Sequence, residues 1–397
     1  MIKRNIMLLC CSFLLLNNIL FACSVFSIDT VNKKGDVTNV LGARTIDFEL
    51  GLSTAVSKGV VGDKNVSHVN LDNISKKNTV SWNTKYNFIG QPLTLSGQVS
   101  DGINSQGLYM GALYLPGQTD YPRYNKLNEK KALAVLDLIN YVLGTSTNVN
   151  EAIQNLQKIQ IVESSVYIFG KYHVFPLHYY LKDKSGDGAI IEFIAGETKI
   201  YHGANINVLT NSPAYEWQAR NEKNMSQQFS NHNTKFKVDG VYANGSGYIG
   251  LPGDYMPQSR FVKMKSMLKA FPVSYNDIES SYGLNMTLNS IIVPIGMNPA
   301  PTLRYSKFDL KNGEYDITNL VILAENGYFT LSGNNTKPLD SLKTDKYNVN
   351  DLLGIKLKAI VSYPSEIDKD KSQVVHAAGA RANTSYKVHY ANFVTNE

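Results

Sequence analysis

The residue best placed to do covalent chemistry is Cys23. All three cysteines, Cys10, Cys11 and Cys23, lie at the start of the chain, so its body can hold neither a disulfide nor a thiolate metal site. Lys3 and Arg4 give a cationic start, Ile6 to Leu16 is apolar, and the small residue Ala22 precedes Cys23. That is the layout of a secretory leader. Cleavage after Ala22 removes Cys10 and Cys11 and makes Cys23 the first residue of what is left. A cysteine there joins a nucleophilic thiol to a free amine that can serve as its base.

Two other readings of the same segment stand beside this one. Leu20-Phe21-Ala22-Cys23 has the form of a lipobox, in which the sulfur is lipidated and the protein is anchored to a membrane. Cys23 is otherwise an inert thiol at an accidental position. Asn17-Asn18 keeps the first apolar stretch short of the roughly 20 residues that a spanning helix needs, and no later stretch reaches that length. The expectation is an exported chain, periplasmic or secreted, with residues 1–22 as signal peptide and no transmembrane segment.

Partners for a thiol come next. The run Gly42-Ala43-Arg44-Thr45-Ile46-Asp47-Phe48 sits on the returning arm of a hairpin that opens at Cys23. The pairing would bring Arg44 and Asp47 back beside Cys23. Arg44 would favour the thiolate and Asp47 would hold the α-amine. An Arg and an Asp three residues apart are otherwise an ordinary surface ion pair.

Other chemistries lack support. Gly245-Ser-Gly247-Tyr-Ile-Gly250 matches a dinucleotide-binding spacing, but Pro252 and Gly253 follow where a helix should open. Asp183-Lys-Ser185-Gly-Asp187-Gly188 copies half of a calcium loop, yet its twelfth position is Ile194 and strand-like runs flank it. It reads as a hairpin turn. The seven histidines show no metal spacing, and there is neither a nucleophile elbow nor a phosphate loop. Formal charge is +6, with basic residues scattered and never in long runs, so no nucleic-acid arm is expected.

The elements that must position these groups follow from patterning. A chain that is 43% hydrophobic and 18% charged folds around an ordinary core. After the hairpin, strand-like runs are expected at Thr79–Ile89, Leu93–Val99 and Gly107–Leu115. Helical spacing runs from Ala132 to Leu143 with Gly144 as a stop, and again over about 150–159. Strands return at His178–Lys182, Ala189–Ile194, Lys199–His202 and Ile206–Leu209, and a helix follows Pro257. Strand-like pieces at Leu303–Leu310, Tyr315–Leu323 and Ile355–Ser362 close the chain. No linker divides it, so residues 23–397 read as one α+β domain with mainly antiparallel sheets.

At this point a family becomes visible. Cys23, the Gly42–Phe48 run, Asp101-Gly-Ile-Asn104-Ser-Gln-Gly107-Leu and Leu113-Tyr-Leu-Pro-Gly117 resemble, in order, motifs of the choloylglycine hydrolase family. Leu209-Thr-Asn211-Ser-Pro-Ala-Tyr-Glu-Trp217 and Leu251-Pro-Gly-Asp-Tyr-Met-Pro-Gln-Ser-Arg260-Phe continue the series. That family holds penicillin V acylases and conjugated bile salt hydrolases.

The resemblance implies an N-terminal-nucleophile fold, a four-layer αββα sandwich, and a set of roles. Cys23 would be the nucleophile and its α-amine, with a reference pKa of about 7.7–8.0, the base. Arg44 would sit by the thiol and Asp47 by the amine. The Asn211 amide and the backbone N–H of Tyr114 would receive the oxyanion, each such donor being worth about 3–4 kcal/mol in the transition state. Arg260 would organise the site and Ile46 would occupy an apolar pocket position.

The implied reaction is hydrolysis of a small-molecule N-acyl amide through an acyl-thioester, with no metal or organic cofactor. A free Cys23 follows from that reading, because lipidation would consume both groups the mechanism needs. Tyr114 is commonly Tyr in penicillin V acylase-like members and Asn in many bile salt hydrolases. Bile salts and N-acyl homoserine lactones remain alternative substrates. The resemblance also implies a homotetramer.

Overall fold

The computed structural model describes residues 22–48, 57–71, 73–93, 97–128, 130–168, 171–231, 234–245, 248–292, 302–325, 328–331, 344–348, 374–375 and 386–387. Its opening hairpin consists of β1 (Ala22–Val31) and β2 (Val37–Phe48). The turn is held by Asn32, whose Oδ1 accepts from the N–H groups of Lys34 and Asp36. Cys23 and Val25 point to one face of the hairpin and Phe26 to the other, and all three are buried. Burial on both faces goes with a run that shows no apolar–polar alternation, Ser24 and Ser27 being buried as well.

The remaining strands of the two main sheets are β3 (Ser57–Gly59), β4 (Phe88–Pro92), β5 (Val99–Asn104), β6 (Leu108–Tyr114), β7 (Leu177–Asp183) and β8 (Gly188–Ile194). Then come β9 (Glu197–His202), β10 (Val208–Thr210), β11 (Thr302–Asp309), β12 (Glu314–Glu325), β13 (Tyr328–Leu331) and β14 (Thr344–Asn348). Among the described residues the first sheet runs β10-β1-β2-β11-β12-β13, with β14 also on β12. The second runs β9-β8-β7-β6-β5-β4-β3. Neighbouring strands in both are antiparallel.

The helices are α1 (Leu138–Thr145), α2 (Val149–Leu156), α3 (Tyr215–Ser226), α4 (Pro257–Ala270) and α5 (Asp277–Ile291). Three cores fix the layers. Leu138, Ile139 and Val142 of α1 pack on Met110, Tyr179 and Ile191 of the second sheet. Phe261 and Met264 of α4, with Leu284 and Leu288 of α5, pack on Phe26 and Leu41 of the first. Cys23, Val25 and Ile46 meet Ile103, Tyr109 and Tyr180 between the sheets. The result is the four-layer αββα order. Each fully buried aliphatic or Phe side chain here contributes about 1.5–3 kcal/mol. Gly42 serves the middle layer directly, since a Cβ there would stand 1.9 Å from the Phe308 ring, which stacks on Tyr109 at 4.0 Å.

Several expectations shift. The helical run from Ala132 begins as a strand, Ala132–Ala134, paired with Gln160–Val162, before a 3-10 turn leads into α1. Backbone pairing to Val80 and Gln160 overrides the helical spacing there. The strand expected over 93–99 starts at Val99, the residue where it was expected to end. Asp183–Gly188 is the β7–β8 turn, as expected. The strand expected at Ile355–Ser362, the expected leader through Phe21 and residues 246–247 of the Gly-rich run lie outside the described residues. Among the described residues no helix is long and apolar enough to cross a membrane.

Candidate active site

Cys23 is buried, at 5% exposure, on β1 opposite Ile46 of β2. Strand alternation sorts its neighbours. Arg44 and Ile46 share the inter-sheet face with the thiol, whereas Asp47 lies one register step away, opposite Ala22, on the face toward α4. The seven positions named from the sequence thus fall around one strand end, on two sides of it.

Where β10 ends, side chains take over the pairing. Ser27 N–H bonds Asn207 O at 2.9 Å, and the antiparallel alternation makes Val25 and Leu209 the next bonding pair and Cys23 and Asn211 the one due beyond the end of β10. Instead, Cys23 N–H donates to Asn211 Oδ1 at 2.6 Å, and Cys23 O accepts from Arg260 Nη1 at 2.7 Å. In the uncut chain that nitrogen is a peptide N–H; it stands in for the α-amine that cleavage after Ala22 would create.

Arg260 comes from the first turn of α4 and is almost wholly buried. Besides Cys23 O it donates to Ser24 Oγ, to Asn211 Oδ1 at 3.0 Å and to Tyr255 O at 2.9 Å. Two donors on Asn211 Oδ1 fix the orientation of that amide, because a flipped NH2 would face two N–H groups. Asn211 Nδ2 then donates to Tyr114 O at 2.8 Å. Gln218 of α3, fully buried, locks the segment by donating to Asn211 O at 2.5 Å.

Asn211 and Tyr114 are therefore together, with the Tyr114 carbonyl as their direct contact. An amide NH2 carries two hydrogens, and this bond uses one. Leu115 N–H bonds Pro176 O at 2.7 Å, so Tyr114 holds a non-hydrogen-bonded ladder position opposite Leu177 and its N–H turns away from β7. Burial raises the phenol pKa of Tyr114.

Arg44 crosses the gap between the sheets. Its guanidinium donates to Ser100 O at 2.9 Å and to Ala112 O, and pairs with Asp101 Oδ1 at 3.5 Å. Asp101 is fully buried and receives Tyr315 Oη at 2.8 Å and Tyr109 Oη at 3.3 Å on its other oxygen. The ion pair with Asp101 helps keep Arg44 protonated against desolvation. Asp101 belongs to a run quoted above with no role attached to it. Its signal was a carboxylate inside a run that is otherwise a strand interior, where charge is rare unless paired.

The charges act on the thiol in opposite senses. Burial is the largest influence and raises the Cys23 pKa; Arg44 and Arg260 lower it and Asp47 raises it. Asp47 is pushed up to about 7 by burial, against the pull of Arg260. With Ala22 still attached the net effect keeps the thiol protonated. An ammonium on the Cys23 nitrogen would add a positive charge beside both groups, which favours thiolate and carboxylate together.

A thiol beside two arginines thus lies at a strand end within an αββα sandwich, its main-chain nitrogen on an Asn amide. The family model of linear amide C–N hydrolases, choloylglycine hydrolase family, matches residues 26–311, and the chain belongs to that family. It is 29% identical over 197 residues to penicillin V acylase of Pectobacterium atrosepticum, covering 48% of this chain and 47% of that protein. It is 32% identical over 167 residues to a bile salt hydrolase/transferase of Lactiplantibacillus plantarum, covering 41% and 50%. The aligned part thus spans about half the length of these relatives.

Among solved structures, penicillin V acylase of Agrobacterium tumefaciens matches with TM-score 0.56 and 24% identity over 75% of this chain and 83% of that one. A mutant conjugated bile acid hydrolase of Clostridium perfringens matches with TM-score 0.60 and 22% identity, over 82% and 96%. At these identities the two structures speak to the fold.

Proposed function

We propose that this chain is an exported amidase that hydrolyses small N-acyl amides through a thioester on Cys23. The observation that carries the proposal is the pair of side chains on the main-chain groups of Cys23, Asn211 on its nitrogen and Arg260 on its carbonyl, with Arg44 on the thiol side. That arrangement satisfies backbone groups that the sheet ladder no longer pairs, and does so with side chains in place of a strand. It leaves the nitrogen in the site, where a free amine is useful.

In the proposed cycle the leader is removed after Ala22, and the α-amine takes the thiol proton. The thiolate attacks the acyl carbonyl, forming a C–S bond, and the oxyanion is met by Asn211 Nδ2 and the Tyr114 N–H. The C–N bond breaks as the α-ammonium gives its proton to the departing amine. Water, deprotonated by the same amine, then attacks the thioester, releases the acid and restores the thiol. Asp47 holds the ammonium form and Arg260 fixes the Cys23 carbonyl.

Penicillin V acylase and bile salt hydrolases both stand among the relatives, and Tyr114 favours aromatic or aliphatic acyl groups of the penicillin V kind. The family resemblance further suggests a homotetramer, and the leader-like start points to the periplasm or medium. The test is the processed protein from full-length expression. Its intact mass should begin at an unmodified Cys23, and it should turn over penicillin V faster than glycocholate or a long-chain acyl homoserine lactone. Cys23→Ala should abolish all turnover. A diacylglyceryl adduct on Cys23, or activity surviving in the alanine variant, would overturn the mechanism.

A further inference from the structure

The segment from Asn211 to Tyr215 leaves the first sheet at β10 and is stitched to the second sheet by four hydrogen bonds. Asn211 Nδ2 donates to Tyr114 O at 2.8 Å and Ser212 Oγ to Pro116 O at 2.9 Å. Ala214 N–H donates to Gln118 Oε1 at 2.6 Å and Tyr215 N–H to Glu192 Oε1 at 2.9 Å. Three of these partners sit on one short stretch, at the end of β6 and the turn beyond it. The fourth does not.

Glu192 is on β8, fully buried on the inter-sheet face. Its Oε1 shares a second hydrogen bond with Nδ1 of His178, equally buried on β7, at 2.9 Å. The rings of Tyr201 and Tyr215 lie with centroids 5.0 Å apart, and burial, with Glu192 adding to it, raises both phenol pKa values. A carboxyl group is costly to bury, and a structure with only packing to serve would be as stable with an apolar residue there. What this one does is hold the first N–H of α3, which leads directly back to Asn211.

We propose that Glu192, braced by His178, is a positioning residue for Asn211. The oxyanion donors are on different sheets, Asn211 at the end of the first and Tyr114 on the second, so their separation is set by whatever fastens one sheet to the other at this point. Glu192 is the rigid end of that fastening, because it is anchored in the framework of β7 and β8 and not in a turn. This inference rests on the amidase reading, and its test keeps the two apart.

Glu192→Gln keeps an oxygen that can accept from both Tyr215 N–H and His178, whereas Glu192→Ala removes it. Each variant, expressed from the full chain and processed, is assayed with penicillin V, and kcat is expressed per titrated Cys23 thiol so that misfolded protein does not count. The alanine variant should lose about 10- to 100-fold in kcat, the range that misplacing a catalytic group by about 1 Å produces. KM should hardly move, and the glutamine variant should recover most of the loss. The rate of Cys23 alkylation by iodoacetamide should stay within about twofold, since the variant touches neither the burial of the thiol nor its neighbours Arg44 and Arg260.

An alanine variant with unchanged kcat per thiol overturns the proposal, as does a glutamine variant no better than alanine, which would make charge the relevant property. If the alanine variant yields no folded protein, Glu192→Asp, which withdraws the oxygen by one methylene, is read in the same way. Amide hydrogen exchange over residues 211–215 supplies a readout free of turnover. If the wild type proves inactive, faster exchange of the Tyr215 amide in the alanine variant sustains the fastening while the amidase reading falls; unchanged exchange overturns the fastening itself.

Discussion

Arg260 Nη1 donates to the carbonyl oxygen of Cys23 at 2.7 Å, joining α4 to β1 across 237 residues of sequence. The same guanidinium reaches Asn211 Oδ1 at 3.0 Å, so a single planar group spaces the residue proposed as nucleophile from the residue proposed to receive the oxyanion.

Arg260→Lys keeps the charge and loses the fork, because an ammonium is a point donor. The expected result is a fall in kcat/KM of about 100-fold. Arg260→Ala should in addition cost about 1–3 kcal/mol of stability, since it leaves the buried Cys23 carbonyl and Ser24 hydroxyl without their donor. Steady-state kinetics and urea unfolding measure the two effects.

Asp101 should matter for folding more than its distance in sequence from Cys23 suggests. Asp101→Ala strands the buried Arg44 charge and should cost about 3–5 kcal/mol. Tyr315→Phe removes only one hydroxyl from the same carboxylate and should cost about 1 kcal/mol. Urea unfolding of both variants gives the comparison, and equal losses would refute the assigned ion pair.

At Gly111 a Cβ would stand 2.5 Å from the Tyr109 hydroxyl and 3.0 Å from Arg44 Nη1. Gly111→Ala should therefore displace the Arg44 guanidinium while leaving the strand intact. Arg44 lowers the thiol pKa, so the variant should shift the midpoint of Cys23 alkylation to higher pH. The pH dependence of iodoacetamide labelling measures it.

Asp47 makes a prediction about pH in the uncut chain, obtained by cytoplasmic expression. Its carboxyl pKa is raised in the fold from 3.8 to about 7. The folded state therefore binds the proton more tightly than the unfolded state. That contribution to stability is fully present below about pH 4 and is lost as pH rises through about 7. Asp47→Asn, which cannot ionise, should match wild type at pH 4 and exceed it in Tm at pH 8. A wild type that is the more stable of the two at pH 8 would contradict the assigned burial.

How much of this was legible in sequence depends on the kind of contact. The hairpin and the positions Arg44 and Asp47 were readable because β1 and β2 are neighbours and register does the rest, whereas Ile46 came with the motif likeness. Asn211 and Arg260 were found through motif likeness, since nothing local tells that residues so far from Cys23 will bond its main chain. Helix α3 escaped because only Gln218 is buried along it, so no apolar stripe marks it. Helix α5 did carry a signal, the capping box of Asn276 and Glu279, which receives Glu279 N–H at 2.9 Å and Tyr275 N–H at 2.8 Å. Glu192 carried the same kind of signal as Asp101, a carboxylate within the apolar run Ala189–Ile194, but nothing local pairs it with His178.

The alternation along β2 has a consequence for how such a chain can change through time. Arg44 and Ile46 face the thiol and Asp47 faces the other way, so deleting or inserting one residue between Cys23 and the turn would exchange the two sides at a stroke. A change of one residue in the strands must be absorbed by a bulge, as the hairpin already does between Thr30 and Val31, while the turn at Asn32–Asp36 can lengthen or shorten, provided the pairing of Cys23 with Ile46 is kept. Descendants of this sequence should differ in the length of that turn and not in the spacing of Arg44, Ile46 and Asp47.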